Sequence, residues 1–385
     1  MSRLPDPRPC PAAGIAGAPF RLMLVSVALM ASGYALLLPV VPLWVARGGT
    51  GAFGAGATTG VLMLTTVLAQ PAAPWLLSTI GHRWVLGIGS VLLGAPAPLY
   101  ALSAELGPVL ALSAVRGVGF GLATVAGSAL VAELVPREQH GRAGARYGIA
   151  TGGPQVVLLA AGVAMVETWG FTAIFVAAGV APMLGAVVVL AIKMARGAAV
   201  EPGTWSSAPV ARAAVPPVLA MLVCSIAQGG LVTFLPLAVP DAGLLVALAL
   251  FATAGGAMGG RVLAGELVDR LGWGGRLQRP GVLAAAAGMG IEIVATATGH
   301  GVLLVAGAAV VGIGFGLVQN DALTGLFGVF GSARYGAASA AWNVAYDAGT
   351  GVGAVGLGAV AEPFGYGAAF ATSAVLCAAA ALRRR

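Results

Sequence analysis

The chain reads as a series of long apolar runs separated by short polar breaks. No Asp, Glu, Lys or Arg occurs between Arg21 and Arg47, between Arg47 and Arg83, or between Arg83 and Glu105. The same holds between Arg146 and Glu167, Glu167 and Lys193, Arg212 and Asp241, and Glu362 and Arg383. An α-helix needs about 20 apolar residues to cross a hydrocarbon core. The runs are continuous and do not alternate, which favours helices over a barrel. The pattern predicts an all-α membrane protein with twelve transmembrane helices, over 21–44, 54–77, 84–103, 107–133, 145–166, 170–192, 213–238, 242–263, 280–298, 301–328, 336–361 and 366–382. Short loops use up the remaining length, which leaves no room for a sizeable soluble domain.

Composition supports lipid as the solvent. Of 385 residues, 59% are hydrophobic and 9% are charged, against about 25% charged in a soluble domain. The 60 glycines read as packing surface, because small residues let membrane helices approach closely. "GVGFGLATVAG" (117–127) and "GTGVGAVGLG" (349–358) are the densest clusters.

Charge changes the picture by fixing an orientation. With the N-terminus in the cytoplasm, 18 of the 20 Lys and Arg residues fall on the inner side; Arg47 falls outside and Arg116 lies within a span. This is the positive-inside bias, and it accounts for the net charge of +7 without a nucleic-acid partner. Both termini are expected in the cytoplasm, with the chain in the plasma (inner) membrane. Residues 1–20 read as a Pro- and Ala-rich cytoplasmic tail, not a cleaved signal peptide, because the next run is of full span length.

The sequence also repeats. Shifted by 195 residues, "RGVGFGL" (116–122) lies on "VGIGFGL" (311–317), Glu167 on Glu362, Gly170 on Gly365 and Phe175 on Phe370, without a gap. Six spans per half give both halves the same orientation, a parallel repeat about an axis along the membrane normal. The expected organisation is a six-helix bundle over 21–192, a cytoplasmic linker over 193–212, and a second six-helix bundle over 213–385 with a short basic tail.

Three motifs carry a family resemblance. "GELVDRLG" (265–272) resembles the G-x-x-x-D-R-x-G loop of the major facilitator superfamily, with Gly265, Asp269, Arg270 and Gly272 in place. The first copy, "PWLLSTIGHR" (74–83), keeps Gly81 and Arg83 but has Ser78 where the Asp belongs. "LSAVRGVGFG" (112–121) resembles the R-x-x-x-G motif in the fourth span of proton-coupled members, through Arg116. "GGPQVVLLAAG" (152–162) partly resembles the fifth-span motif of antiporters, through Gly153 and Pro154. The resemblance implies the twelve-span fold with alternating access, and drug or metabolite:proton antiporters as the nearest kind. It further implies that Asp269 faces Arg142 and Arg146 at the start of the fifth span and latches the cytoplasmic side. The alternative is a solvated turn.

The candidate chemistry lies in polar residues within spans. Asp347 is near mid-membrane, where desolvation disfavours its charged form. It reads as a proton-coupling acid, a contact for a cationic substrate, or a hydrogen-bond partner of Asn343. Arg116 must face a cavity or a partner, since an unpaired cation is costly there. It reads as the cation that tunes proton release or as a structural hydrogen-bond hub. Tyr34, Gln228, Gln319, Asn320 and Asp321 are candidates for the substrate cavity, because by resemblance the first, fourth, seventh and tenth spans line it. Gly153 and Pro154 read as an antiporter-like element or an ordinary kink. Gln70 and Gln155 read as inter-helix hydrogen bonds. Glu292 should be peripheral and has no assigned role. Cys10, Cys224 and Cys377 are scattered, and His82, His140 and His300 fall in loops or at span ends. No metal site, nucleophile–base pair or cofactor site is visible.

The expectation is a monomeric secondary transporter, not an enzyme, which uses the proton gradient and no cofactor to export small organic molecules. The alternatives are a proton-coupled uptake symporter of a small metabolite and a transport-inactive sensor. Arg116 and the Gly153–Pro154 pair carry the export reading.

Overall fold

A computed structural model describes residues 14–136, 139–192, 208–240, 242–330 and 335–382. Every regular element among these residues is helical. The helices are α1 (Ala18–Arg47), α2 (Ala52–Ala69), α3 (Ala73–Ile80), α4 (His82–Gly94), α5 (Leu106–Leu134), α6 (His140–Leu190), α7 (Ala208–Ala238), α8 (Gly243–Leu271), α9 (Gln278–Thr298), α10 (Gly301–Phe330) and α11 (Tyr335–Leu382). Short 3₁₀ turns at Gln70–Ala72 and Ala97–Leu102 follow α2 and α4. The second turn falls where Pro96 and Pro98 remove backbone donors that a helix would need. The third predicted span is therefore an α-helix for only its first part.

Ten helical segments are long and apolar enough to cross a membrane, where the sequence pattern gives twelve spans. The difference lies in α6 and α11, each of which covers two predicted spans. At about 1.5 Å per residue, the 51-residue α6 and the 48-residue α11 are each more than twice the thickness of a hydrocarbon core. Each breaks once, α6 at Gly170 (φ 76°, ψ 166°) and α11 at Gly365 (φ 81°, ψ 167°). That region of backbone space belongs to glycine. These two glycines are 195 positions apart and repeat-matched, so the internal repeat is present in the backbone as well as in the sequence.

Packing runs through small residues. The two parts of the chain meet chiefly where α2 lies along α11 and α6 along α8, with smaller contacts of α1 and α2 to α7. Gly56 sits directly on the Ala354 carbonyl, leaving no space for a Cβ; this contact sets how closely α2 and α11 approach. Two core clusters are built around Leu86 and Ala123 and around Val40 and Phe175, within the first part. A third, around Leu231, Val311 and Phe370, fills the second part and reaches Leu159 and Val163 of α6. The predicted linker lies outside the described residues up to 207, and α7 begins at Ala208.

Candidate functional site

Several polar residues of the spans lie close to the seam where the two parts meet. From α1, Tyr34 is buried and stacks on Phe120 of α5, with centroids 4.2 Å apart and rings 12° from parallel. One helical turn before Phe120, Arg116 is 1% exposed. Its Nε donates to the Leu93 carbonyl at 3.0 Å and its Nη2 to the Gly33 carbonyl at 3.4 Å. Its guanidinium lies 5.5 Å from the centre of the Tyr100 ring, within cation–π range. The Tyr100 hydroxyl in turn bonds Ser113 at 2.8 Å. Arg116 thus ties α1, α4 and α5 together through neutral dipoles. It has the hub geometry, and it also lines a small pocket within the first part with Tyr34, Thr58, Thr59, Tyr100 and Ser113. The space open to a water centre there is ≈ 10 Å³, room for about one water.

Across the seam, Asp347 of α11 is 3% exposed. Its Oδ2 accepts a 2.7 Å hydrogen bond from Gln70 Nε2, on the 3₁₀ turn after α2. Gln70 is thus an inter-helix bond, as expected, and it joins the two parts of the chain. Asn343 is not the partner of Asp347: its amide donates to the Ser339 carbonyl at 2.9 Å, within its own helix. Tyr34 is within electrostatic reach of Asp347, Tyr346 and Arg116. Tyr346 is likewise within reach of Asp347 and Arg261. Two arginines, two tyrosines, one acid and one amide therefore form a connected polar thread through an apolar interior.

Arg261 was missed by counting it as a cytoplasmic charge. It lies inside α8, half-buried, and its Nη1 comes within 3.8 Å of where a Cβ would stand on Gly148 of α6. A charge inside the eighth predicted span was the available signal. Tyr346 was missed too, because nothing in its local sequence marks it.

Several predicted site residues lie elsewhere. Asp321 does not face the cavity. Its Oδ1 accepts the Gly275 N–H at 2.6 Å, and its Oδ2 accepts the Leu277 and Gln278 N–H groups at 3.0 and 3.1 Å. It caps the start of α9, where a helix leaves backbone donors unpaired. Gln319 is buried, and its carbonyl accepts the Trp342 indole at 3.0 Å; the Asn320 carbonyl accepts from Thr324 at 3.1 Å. Gln228 is buried in α7. Gln155 bonds the Thr151 carbonyl of its own helix at 3.2 Å, so it makes no inter-helix bond. Gly153 and Pro154 sit in a stretch of α6 with helical dihedrals, and the non-helical position of that helix is Gly170. Glu292 is fully buried between α9 and α10, beside Gly307, with neither oxygen hydrogen-bonded; it lies near the Ala308 N–H without meeting hydrogen-bond geometry.

In the loop motif, Gly272 ends α8 in the left-handed conformation (φ 64°, ψ 30°), with its N–H on the Val268 carbonyl. This explains the glycine. Gly265 packs against nothing a Cβ would meet. Arg270 pairs with Glu266 of its own helix at 2.5 Å. Arg142 is exposed, and Arg146 donates to the Ile15 carbonyl at 3.1 Å. The Asp269 side chain lies outside the described part. In the first copy, Ser78 bonds the Trp75 carbonyl of its own helix, and His82 pairs with Glu133 at 2.8 Å.

Two repeat-matched acids cover the starts of helices. Glu362 of α11 accepts the Phe53 N–H at the start of α2, at 3.0 Å. Glu167 of α6 sits against Gly243 at the start of α8. It lines a pocket of ≈ 180 Å³ with Arg47 and Pro236. No group of three or more potential metal ligands is present among the described residues.

No curated protein matches the sequence. Among solved structures, a peptide transporter POT in complex with sulfate is similar at TM-score 0.80 and 14% identity, over 96% of this chain and 95% of that one. A D-xylose-proton symporter gives TM-score 0.74 at 16% identity, over 94% and 95%. A bacterial homolog to human lysosomal transporter Spinster, in an inward-facing and occupied conformation, gives 0.75 at 14%, over 94% of each. At these identities the likeness establishes the fold. The sequence profile of the Major Facilitator Superfamily matches residues 23–353, most of the chain. With buried polar residues close to the seam of an all-helical membrane protein, the conclusion is direct: the chain belongs to the Major Facilitator Superfamily, and it is a multi-pass membrane transporter of small substrates, not an enzyme.

Proposed function

We propose that this transporter is driven by protons and that Asp347 is the proton site. One observation carries the reading: a buried carboxylate, hydrogen-bonded by Gln70 across the seam, sits where rocking of the two parts would part donor from acceptor. A neutral carboxyl tolerates that closed, dry position, and an ionised one is stabilised when water enters from either side. Each cycle would then load a proton on one face and release it on the other.

The rest of the reading follows the family. The chain makes twelve passes, with α6 and α11 each crossing twice, and it divides into bundles over 21–192 and 213–385. Both termini are cytoplasmic, the membrane is the plasma membrane, and the monomer is the working unit. Asp269, with Arg142 and Arg146, latches the cytoplasmic side, while Glu167 and Glu362 close the outer one. Arg116 ties α1, α4 and α5 and borders the path. Gln228, Gln319 and Asn320 line the path as the parts separate.

Two directions of coupling compete. Export against protons rests on the family resemblance of Arg116 and the Gly153–Pro154 pair. Uptake with protons is favoured by the charge balance of the seam, where Arg116 and Arg261 both lack an acidic partner among the described residues. Transport by inverted and right-side-out vesicles separates these two. Asp347→Asn in proteoliposomes tests the shared core: proton-driven accumulation is expected to vanish, and full retention would refute the proton site.

A further inference from the structure

Three charged side chains lie near the interface of the two parts, linked through tyrosines: Tyr34 is within electrostatic reach of Arg116 and Asp347, and Tyr346 of Asp347 and Arg261. Arg116 is held by the carbonyls of Leu93 and Gly33 and by the face of Tyr100. Its Nη1 has no protein acceptor among the described residues. Arg261 has the Tyr346 phenol within electrostatic reach and Gly148 of α6 opposite it. The ion pairs among the described residues, His82–Glu133 and Arg270–Glu266, involve neither arginine. Asp347 is bonded by the Gln70 amide, not by a guanidinium. The other buried acids among the described residues are Glu292, which belongs to the α9–α10 contact, and Asp321, which caps the start of α9.

The seam therefore carries one excess positive charge with Asp347 ionised, and two once Asp347 takes a proton. A guanidinium cannot discharge itself by losing a proton. Buried charge without a counter-charge is expensive, and dipoles and a ring face offset only part of that. A cationic solute would meet two like charges. An anionic one would supply what the protein leaves out, and a carboxylate matches the planar donor fork of arginine.

Resting on the proton-driven reading above, we propose that the solute is a small organic carboxylate held by Arg116 and Arg261, and that it binds together with the proton on Asp347. Protonating Asp347 removes the negative charge that would repel the solute. By linkage, a proton that strengthens anion binding is itself bound more tightly when the anion is present. Ligands that favour each other's binding travel in the same direction, so this site makes a symporter. A cationic drug would compete with the proton and make an exchanger.

The test uses the full-length protein in lipid nanodiscs and matched probes: benzoate, benzamide and benzylamine, then hexanoate, hexanamide and hexylamine. Thermal stability is followed against probe concentration. At least one carboxylate is expected to raise Tm where its amide and amine do not, and to bind more tightly as pH is lowered within its ionised range. Arg261→Gln should weaken that binding by roughly tenfold or more, the worth of a hydrogen bond to a charged group, and Arg116→Gln should do the same. Arg116→Lys should restore part of the affinity, since it keeps the charge but not the fork. Arg116 also ties helices together, so if its Gln variant fails to fold, Arg261→Gln decides. The proposal is overturned if no carboxylate binds, if an amine or amide binds as well, if Arg261→Gln leaves affinity unchanged, or if binding tightens as pH rises. Proteoliposome uptake of the same probes separates the two layers. A carboxylate that needs the arginines but is accumulated normally by Asp347→Asn keeps the solute class and removes the proton site. An amine accumulated only with Asp347 intact does the reverse.

Discussion

The two parts of the molecule share a backbone plan and differ in chemistry at matched positions. Arg116 of the first part corresponds in the repeat to Val311 of the second, and Asp347 of the second corresponds to Gly152 of the first. Yet Gly170 and Gly365 break their helices with nearly the same dihedrals, and Glu167 and Glu362 cover the starts of α8 and α2 alike. Symmetry is kept where the scaffold must pivot and close. It is abandoned at the positions proposed to handle proton and solute. The places where a repeat fails are therefore the first places to look for chemistry.

This contrast can be tested at several strengths. The largest effect is expected at the broken positions: Asp347→Asn should reduce proton-driven uptake to the leak rate, while Tm stays near wild type because the asparagine carbonyl still accepts from Gln70. Next comes a second asymmetry. Asp321, matched by Ala126 in the first part, accepts three backbone N–H groups, and each buried donor left unpaired costs about 1–3 kcal/mol. Asp321→Ala should therefore destabilise by about 3 kcal/mol or more in denaturant titration, with solute affinity unchanged. An altered affinity with intact stability would return Asp321 to the cavity.

Smaller effects probe the preserved positions. Gly170→Ala and Gly365→Ala meet no neighbour within 4 Å, so their cost is conformational alone, about 1–3 kcal/mol each. The two losses should be equal within error, and a marked inequality would break the structural repeat. Smallest is Arg270→Gln. Its pair with Glu266 is exposed on both sides, at 77% and 54%, and an exposed pair one turn apart is worth about 0.5 kcal/mol or less. A large loss of transport without loss of stability would show that Arg270 works in the cytoplasmic latch.

Much of the fold was legible because lipid imposes a simple rule on sequence. Uninterrupted apolar runs marked the helices, and the 195-residue shift located both glycine breaks. The third span was placed, but its change to a 3₁₀ turn was not, because hydropathy ignores what Pro96 and Pro98 do to a helix. Of the site, Asp347 and Arg116 stood out because charge is rare inside a span. Asp321 stood out for the same reason and was misread, since an acid inside a span can satisfy a helix start as well as a solute. Arg261 was hidden by its neighbours Arg270, Arg276 and Arg279, which made it look like one more inner-face cation. Gln70 could be read as an inter-helix bond, but its partner 277 residues away could be found only in three dimensions.

The small pocket beside Arg116 has one last implication. A pocket with space for about one water offers no mould there in which a guest could be recognised by shape. On the proposed rocking cycle, cargo is selected while the bundles are apart, by polar contacts made in a wet opening, and only then wrapped. Compounds fitted to the closed form would consequently be poor guides to its cargo, and molecules that wedge the bundles open should make better inhibitors than molecules that fill a hole.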